Sequence, residues 1–169
     1  MVAIESARAG HVGLALLEPT DGEPLRRLFY RLSPESVYRR FLSPISRPEQ
    51  ARPERLLDVD HQEREAVVAV QDGEIVGVAR YFRWPDSSAA ELAVVVADDW
   101  QRQGLATRML SRLVQQALTA GIDHFTLTMQ ADNRGVLRLL RRFWPAVVLS
   151  FDHGVYETTV PIGAEAPAL

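Results

Sequence analysis

The most informative stretch of this chain is residues 94–107, which read Val-Val-Val-Ala-Asp-Asp-Trp-Gln-Arg-Gln-Gly-Leu-Ala-Thr. The apolar run at residues 91–97 predicts a strand that is buried on both faces. The pattern Gln-x-x-Gly-x-Ala follows it and opens the most regular amphipathic helix of the sequence, over residues 104–120. A helix N-terminus carries free backbone N–H groups and a partial positive charge, which favour a bound phosphate or pyrophosphate. The stretch therefore predicts a phosphate-binding loop between a strand and a helix.

Two other phosphate loops do not fit this stretch. The dinucleotide pattern requires Gly-x-Gly-x-x-Gly, whereas Gly104 stands alone here. The Walker pattern requires Gly-Lys, but all 19 basic residues of the chain are arginines. A chain without lysine also has no residue for Schiff-base chemistry. Gly104 and the small Ala106 instead let the backbone approach a phosphate closely.

The composition indicates one globular domain. The chain has 169 residues, of which 47% are apolar and 24% charged, and we assign residues 1–162 to the domain and 163–169 to a flexible tail. No apolar run is long enough to span a bilayer, and residues 1–10 lack the apolar segment of a secretory signal. The net charge of −3 gives no general attraction to nucleic acid. The chain has no cysteine, which excludes disulfides, thiolate metal sites and cysteine nucleophiles and fits a cytoplasmic location.

Hydrophobic periodicity and turn signals predict an α/β domain with a mixed sheet. Thr20 and Glu23 form a capping-box pattern at the start of the first helix, and Ser33-Pro34 starts the second. Asp72-Gly73 between two β-branched runs predicts a hairpin. Strands are expected at residues 11–17, 66–70, 75–81, 91–97, 124–130, 147–151 and 155–160, and helices at 20–32, 33–42, 48–57, 104–120 and 133–142.

The segment Gln101-x-x-Gly104-x-Ala106 resembles motif A of the GNAT superfamily of N-acetyltransferases, because a strand precedes it and a helix follows it. Asn133, at the start of the next helix, matches an Asn position of that family. Residues 32–41, Glu91 and residues 95–100 extend the similarity to the catalytic domain of bacterial protein-lysine acetyltransferases of the Pat type. The resemblance implies a GNAT-like α/β fold, with a mixed, mostly antiparallel sheet of about seven strands and helices on both faces.

The resemblance also implies an acetyl-CoA-dependent enzyme that needs no metal and acylates an amine directly, most simply a protein lysine. Backbone groups of the strand would pair with the pantetheine arm, the loop would hold the pyrophosphate, and Asn133 would hydrogen-bond near the pantetheine. Glu91 matches the general base of the Pat type. The cofactor-binding residues implied in this way are Val94, Val95, Val96, Gln101, Arg102, Gln103, Gly104, Leu105, Ala106, Thr107 and Asn133.

A carboxylate base suits this reaction because an ammonium group must lose a proton before it attacks a thioester. A free lysine has a pKa of about 10.4, and a positioned carboxylate accepts its proton directly or through water. The oxyanion that forms needs a hydrogen-bond donor, for which a backbone N–H near Val94 is the simplest choice.

One departure from the family pattern leaves alternatives open. Many members carry a Tyr seven residues after the Asn as the acid for the leaving thiolate, but this chain has Leu140. A small-molecule amine as acceptor, and a catalytically idle acyl-CoA-binding sensor, therefore stay open beside a protein-lysine acetyltransferase. A flat, acidic mouth would favour a protein acceptor, and a deep pocket would favour a small amine.

Three further groups have candidate roles. The second predicted helix lies where the resembled family binds its acceptor, so Tyr38 and Phe41 are candidates for the acceptor mouth, with ordinary packing as the alternative. Arg102 and Arg108 flank the loop and are candidates for the phosphate end of CoA, with a solvated face as the alternative. The Asp-Val-Asp-His pattern at residues 58–61 lacks further spaced ligands, so no metal is expected.

Overall fold

The computed structural model describes residues 11–163, which form a seven-stranded sheet between two layers of helices. The strands are β1 Gly13–Leu16, β2 Arg64–Gln71, β3 Glu74–Arg83, β4 Ala89–Val96, β5 His124–Gln130, β6 Ser150–Asp152 and β7 Val155–Pro161. They lie in the order β1-β2-β3-β4-β5-β7-β6, and every neighbouring pair is antiparallel except the parallel pair β4–β5. The expected mixed, mostly antiparallel α/β fold is thereby confirmed.

Helices cover both faces of the sheet. The first face carries α1 Gly22–Tyr30, α2 Pro34–Phe41 and α3 Pro53–Leu56, and the second carries α4 Leu105–Thr119 and α5 Arg134–Phe143. None of the helices in residues 11–163 is long and apolar enough to cross a membrane. Residues 164–169 of the expected tail, and the N-terminal stretch judged not to be a signal, lie outside the described residues.

Two hydrophobic cores form because the central strands are buried on both faces. Alternate residues of β2 point in opposite directions, so Val67 joins the core under α4 whereas Val68 joins the core under α1. On the second face, Met109 and Leu113 of α4 are fully buried against the sheet. Each such side chain contributes about 1.5–3 kcal/mol by leaving water, so the sheet is a rigid platform for the residues at its edges.

Two predicted helices differ from the observed ones. The helix expected at residues 48–57 is broken at Arg52, which has a left-handed φ of 51°, into a 3₁₀ turn at Pro48–Ala51 and the single turn α3. Pro53 explains the break, because proline disfavours helical geometry in the residue before it and donates no backbone hydrogen bond. The predicted capping box is also wrong. Asp21 is the N-cap of α1, and its carboxylate accepts from the Glu18 N–H at 2.9 Å instead of capping the helix.

The strand ends also depart from the prediction. β6 has three residues, Ser150–Asp152, so most of the run expected at 147–151 lies outside it. Helix α5 ends at Phe143, two residues before Pro145, as expected for a helix that proline terminates. Strand β4 begins at Ala89, and its predicted burial on both faces is wrong. Glu91 is exposed and residues 93–95 are only partly buried, because β5 leaves β4 along most of its length.

Candidate active site

An opening lies between β4 and β5, where two parallel neighbours separate. The two strands pair only from Ala89 to Glu91, opposite residues 124–126. Beyond that point β5 no longer pairs with β4, and it stays paired with β7, its neighbour on the other side, as far as Gln130. Residues 92–96 therefore have no strand partner on this side within the described chain, and their free backbone groups can bind an extended ligand as another strand would.

Glu91 sits at the closed end of this opening. Its cross-strand partners are Phe82 on β3 and Thr126 on β5, and residues paired in this way point to the same face of the sheet. Phe82 is 45% exposed and Trp84 is 43% exposed, and the Trp84 Nε1–H donates to Thr126 Oγ1 at 2.9 Å. Glu91 makes no ion pair within the described residues and is exposed, so its carboxylate is available to a ligand in the opening.

The loop that follows β4 lies at the other end of the opening, away from Glu91. Gln101 Nε2 donates to the Val96 carbonyl at 3.1 Å, and Gln103 Nε2 donates to the Asp99 carbonyl at 2.9 Å. The side chains of both glutamines thus fix the loop onto the strand end. The loop closes with two left-handed residues, Arg102 at φ 60° and Gly104 at φ 80°.

This geometry leaves a group of unsatisfied donors. The backbone N–H groups of residues 102–107 donate to no acceptor among the described residues, and the first helical bond here runs from the Arg108 N–H to the Gly104 carbonyl. Leu105 is buried and anchors the start of α4 in the core. Ala106 and Thr107 are partly buried on its first turn. Donors arranged in this way at a helix N-terminus bind anionic oxygen atoms, as a pyrophosphate provides.

Asn133 lies at the corresponding end of β5, across the opening from the loop. It is the N-cap of α5, and its side-chain carbonyl accepts from the Val136 N–H at 3.2 Å. Its amide NH₂ donates to no acceptor within the described residues and is free for a ligand. Capping fixes the direction of the amide, because the oxygen must stay over the first turn of the helix.

Helix α2 is tied to both ends of the opening and lies against β4 and β5. On the β4 side, Asp98 accepts hydrogen bonds from the Ser33 N–H, the Ser33 hydroxyl and the Ser36 hydroxyl at 2.8–3.0 Å. On the β5 side, Arg39 lies 3.6 Å from the Asp132 carboxylate. The Ser33 oxygen also caps α2 itself. The position of this helix therefore depends on the loop between β4 and α4.

The carboxylate of Asp98 gives the first testable prediction. Partial burial alone would raise its pKa, but the hydrogen bonds from Ser33 and Ser36 outweigh burial and hold the pKa below its usual value of 3.8. A depressed pKa stabilises the fold above the unfolded value, and the gain is lost as the pH falls through the folded value. We expect Asp98→Asn to lower the free energy of unfolding by about 1 kcal/mol at pH 7, since solvent screens this exposed group, and by almost nothing near pH 2.

Urea unfolding at the two pH values measures this difference. Asp99→Asn is the matched control, because Asp99 is the next residue and its side chain accepts no hydrogen bond within the described chain. An equal loss of stability in both variants, or a loss for Asp98→Asn that persists at low pH, would contradict the role of the Asp98 charge.

The sequence did not single out two arginines on the first face of the sheet. Arg40 of α2 and Arg80 of β3 line a cavity of about 290 Å³ together with Phe41, which was a candidate for the acceptor mouth. Tyr38, the other candidate, is 43% exposed and does not line that cavity. A signal for Arg80 was present, because a charged residue inside an apolar strand is rarely buried without a specific role.

Other candidates are engaged elsewhere in the fold. Arg108 donates to the Val12 carbonyl at 2.9 Å, so this guanidinium holds α4 against the edge of β1 rather than reaching the loop. Arg102 forms no hydrogen bond or ion pair within the described residues. In the Asp-Val-Asp-His pattern, Asp60 accepts from three N–H groups of its own turn. Residues 11–163 contain no cluster of three or more His, Asp or Glu side chains able to hold a metal.

Comparison with known sequences identifies similar proteins. The model of the acetyltransferase (GNAT) family matches residues 28–143. Acetyltransferase PA5475 of Pseudomonas aeruginosa is 34% identical over 138 residues, which are 79% of this chain and 74% of that protein. Acetyltransferase Pat of Mycolicibacterium smegmatis is 30% identical over 133 residues, which are 77% of this chain but 39% of that protein.

Solved structures share the same architecture. The GNAT domain of S. lividans PAT matches with a TM-score of 0.82 at 24% identity, over 90% of this chain and 92% of that one. The putative acetyltransferase yncA of Salmonella typhimurium, solved with its cofactor acetyl-CoA, matches with a TM-score of 0.71 at 14% identity, over 92% and 96%. At these identities the likeness establishes the fold.

Proposed function

The chain belongs to the GNAT family of acetyltransferases and uses acetyl-CoA, and on this premise we propose that it transfers the acetyl group directly to a primary amine with Glu91 as the general base. The observation that carries the proposal is the placement of Glu91 at one end of the β4–β5 opening and of the free N–H groups at the other. A thioester bound by its pyrophosphate at the loop and extended along β4 brings its acetyl group to Glu91.

The proposed cofactor contacts follow the opening. Backbone groups of Val94, Val95 and Val96 would pair with the pantetheine amides, and the Asn133 amide would donate from the opposite side. The pyrophosphate would accept from the N–H groups of residues 102–107, with Gln101 and Gln103 holding the loop in place. No metal takes part, because these donors supply the positive field that the phosphates need.

The transfer step balances without another reactant. Glu91 accepts a proton from the ammonium group of the acceptor, directly or through water, and the free amine attacks the thioester carbonyl carbon. A backbone N–H near Val94 stabilises the oxyanion. The attacking nitrogen gives its second proton to water as the tetrahedral intermediate collapses to the amide. The C–S bond breaks, and CoA leaves as a thiolate that takes a proton from solvent. Leu140 is fully buried at the position where many family members carry Tyr, so no tyrosine supplies the proton there. Water suffices as the acid because a thiol has a pKa near ~8.5.

Two kinds of amine are candidates for the acceptor, a protein lysine and a small molecule. A protein lysine is supported by the 30% identity to acetyltransferase Pat and by the resemblance of residues 32–41 to bacterial protein-lysine acetyltransferases. A small amine is supported by the cavity of about 290 Å³ beside α2, which is half open to solvent and which a flat protein surface does not fill. Either acceptor is compatible with the cytoplasmic location that the cysteine-free sequence favours.

Acetyl-CoA binding and turnover test the proposal together. We expect calorimetry to show micromolar binding of acetyl-CoA and no comparable binding of ATP. We also expect release of free thiol from acetyl-CoA when a lysine peptide or a small primary amine is added. Binding without release for every amine tried would favour the sensor alternative, and the absence of binding would overturn the cofactor site itself.

A further inference from the structure

The cavity on the first face of the sheet is continuous with the surface that carries Glu91. Three cross-strand pairs of β3 and β4 lie in a row on this face: Phe82 with Glu91, Arg80 with Ala93, and Val78 with Val95. Val78, Arg80 and Val95 line the cavity, and Glu91 lies directly beyond it. Successive pairs on one face are about 7 Å apart. A ligand that reaches from Glu91 into the cavity therefore passes the Arg80 position first and apolar walls next.

Two of the three arginines that line this cavity, Arg40 and Arg80, are charged groups without a carboxylate partner, whereas Arg26 pairs with Glu23. Arg80 is only 8% exposed, and its guanidinium donates to the carbonyls of Leu56 and Arg55 at 3.0 and 3.2 Å. Arg40 makes no hydrogen bond or ion pair within the described residues, and its guanidinium carbon lies 4.8 Å from the centre of the Phe41 ring. Neither guanidinium has a carboxylate oxygen within 4 Å in this part of the chain.

Burial makes these charges costly. Loss of solvent and the nearby charge of Arg80 lower the pKa of Arg40 to about 10, although Glu91 acts in the opposite direction. Burial likewise lowers the pKa of Arg80, against the attraction of Asp58 and Glu91. Guanidinium groups are not deprotonated in proteins, so both side chains carry a positive charge. Buried charges of this kind are normally paired, so a ligand that brings an anionic group offsets their desolvation.

The rest of the cavity is mainly apolar. Its far wall is formed by side chains of α1, among them Leu25, Leu28 and Phe29. Two carboxylates also reach its edge, but Glu23 is exposed and paired with Arg26 and Arg27, and Glu49 is exposed on the 3₁₀ turn. The buried part of the cavity is therefore positive next to Glu91 and apolar beyond.

From this order of groups we propose that the cavity is the acceptor subsite for a small amine that carries a carboxylate next to its amino group and an apolar side chain, as an α-amino acid does. The inference rests on the proposed transfer to an amine and names its acceptor. The amino group would lie at Glu91, the carboxylate would accept hydrogen bonds from Arg40 beside Arg80, and the side chain would fill the space against α1. A polyamine would bring further positive charge beside Arg40 and Arg80, which repulsion between like charges disfavours.

Matched amines separate the contribution of the carboxylate. Leucine, leucinamide and 3-methylbutylamine share one side chain and differ in the group next to the amine. Charge-assisted hydrogen bonds to a guanidinium are among the strongest in proteins, so we expect kcat/KM for leucine to exceed that for either analogue without a carboxylate by about tenfold or more. We expect Arg40→Gln to abolish this preference by lowering only the value for leucine. Arg141→Gln, on the exposed face of α5, is the control and should keep it.

A second variant and a binding measurement guard against loss of folding. Arg40→Lys keeps the positive charge but lacks the planar guanidinium group that binds a carboxylate through two hydrogen bonds, so it should retain part of the preference for leucine. Its unfolding midpoint should be close to that of the unmodified protein. Calorimetry on the CoA-loaded protein should detect leucine more strongly than leucinamide, and Arg40→Gln should equalise the two. These readings do not depend on turnover.

The outcomes distinguish this inference from the proposed function. If a lysine peptide is acetylated but leucine is neither bound nor used better than 3-methylbutylamine, the cavity is not a carboxylate subsite and the transfer mechanism stands. If Arg40→Gln lowers activity equally for all three amines, Arg40 does not bind the carboxylate and the inference is overturned. If leucine binds through Arg40 but no amine is acetylated, the subsite stands and the proposed function fails.

Discussion

Replacement of Glu91 by glutamine is expected to lower the rate of acetyl transfer by about 10²–10⁴-fold, the range that general-base catalysis supplies. The amide has the same size as the carboxylate but accepts no proton at neutral pH. Glu91 is exposed and makes no ion pair within the described residues, so the fold should tolerate the change. Acetyl-CoA affinity should stay the same, because the pyrophosphate contacts lie at the other end of the opening.

The pH dependence of the variant carries the mechanistic information. Without a base, the amine must lose its proton to solvent, and the free-amine fraction rises tenfold per pH unit below the amine pKa of about 10.4 for lysine. The residual rate of Glu91→Gln should therefore rise with that slope as the pH increases, and the unmodified enzyme should show a weaker dependence. Thiol release at saturating acetyl-CoA, measured from pH 6 to pH 10, gives both curves.

Glu157→Gln is the matched control for Glu91→Gln. Glu157 is an exposed carboxylate on β7 whose partner across the strands is Thr128 of β5, on the same face as Thr126 beside Glu91. Neutralising it changes the charge of this face by the same amount, and we expect at most a small effect on the rate. Comparable losses in the two variants would assign the effect to the charge of the face and would rule out Glu91 as the base.

Replacement of Gly104 by valine is expected to weaken acetyl-CoA binding by about a hundredfold or more, which is the loss of two charge-assisted hydrogen bonds. Gly104 has φ +80°, and a Cβ built on it meets no atom within 4 Å. The side chain would therefore occupy open space within the run of free N–H groups at residues 102–107, where the pyrophosphate is proposed to lie. A β-branched residue at positive φ also costs about 1–2 kcal/mol in backbone strain.

Gly73→Val separates these two effects. Gly73 also has φ +80° and also has no atom within 4 Å of a built Cβ, but it lies in the β2–β3 turn, where no helix begins. We expect both variants to lose similar stability in thermal unfolding and only the Gly104 variant to lose affinity in calorimetry. If Gly104→Val measurably lowers stability but leaves the affinity for acetyl-CoA unchanged, the pyrophosphate binds elsewhere.

The prediction of a candidate cofactor loop rests on local signals. A strand, a glycine at positive φ and a helix start all lie within residues 91–107, and each depends on neighbours a few positions away. The capping role of Asn133 is local in the same sense. The sequence was less reliable where a distant residue competes for the same group, as at the start of α1, where Asp21 bonds back to the Glu18 N–H.

The opening itself required the tertiary structure. The apolar run of β4 looks like a strand between two neighbours, and only the register shows that β5 stays beside it for three residues. Arg108 was predicted near the cofactor from its place on α4, yet its partner is the carbonyl of Val12, just before β1 and 96 positions earlier in the chain. Spacing within one element does not indicate which other element will supply the partner.

The sequence alone was enough to predict the family and the layered α/β architecture, and it supplied a candidate anion-binding loop and a candidate base. These follow from backbone propensities and short motifs, whose energetics act over a few residues. The tertiary structure alone decided that β4 and β5 separate beside Glu91 and that Arg40 and Arg80 meet in one cavity. Those features depend on burial and charge among residues from distant segments, because desolvation is set by the packed surroundings of a group and not by its neighbours in the chain.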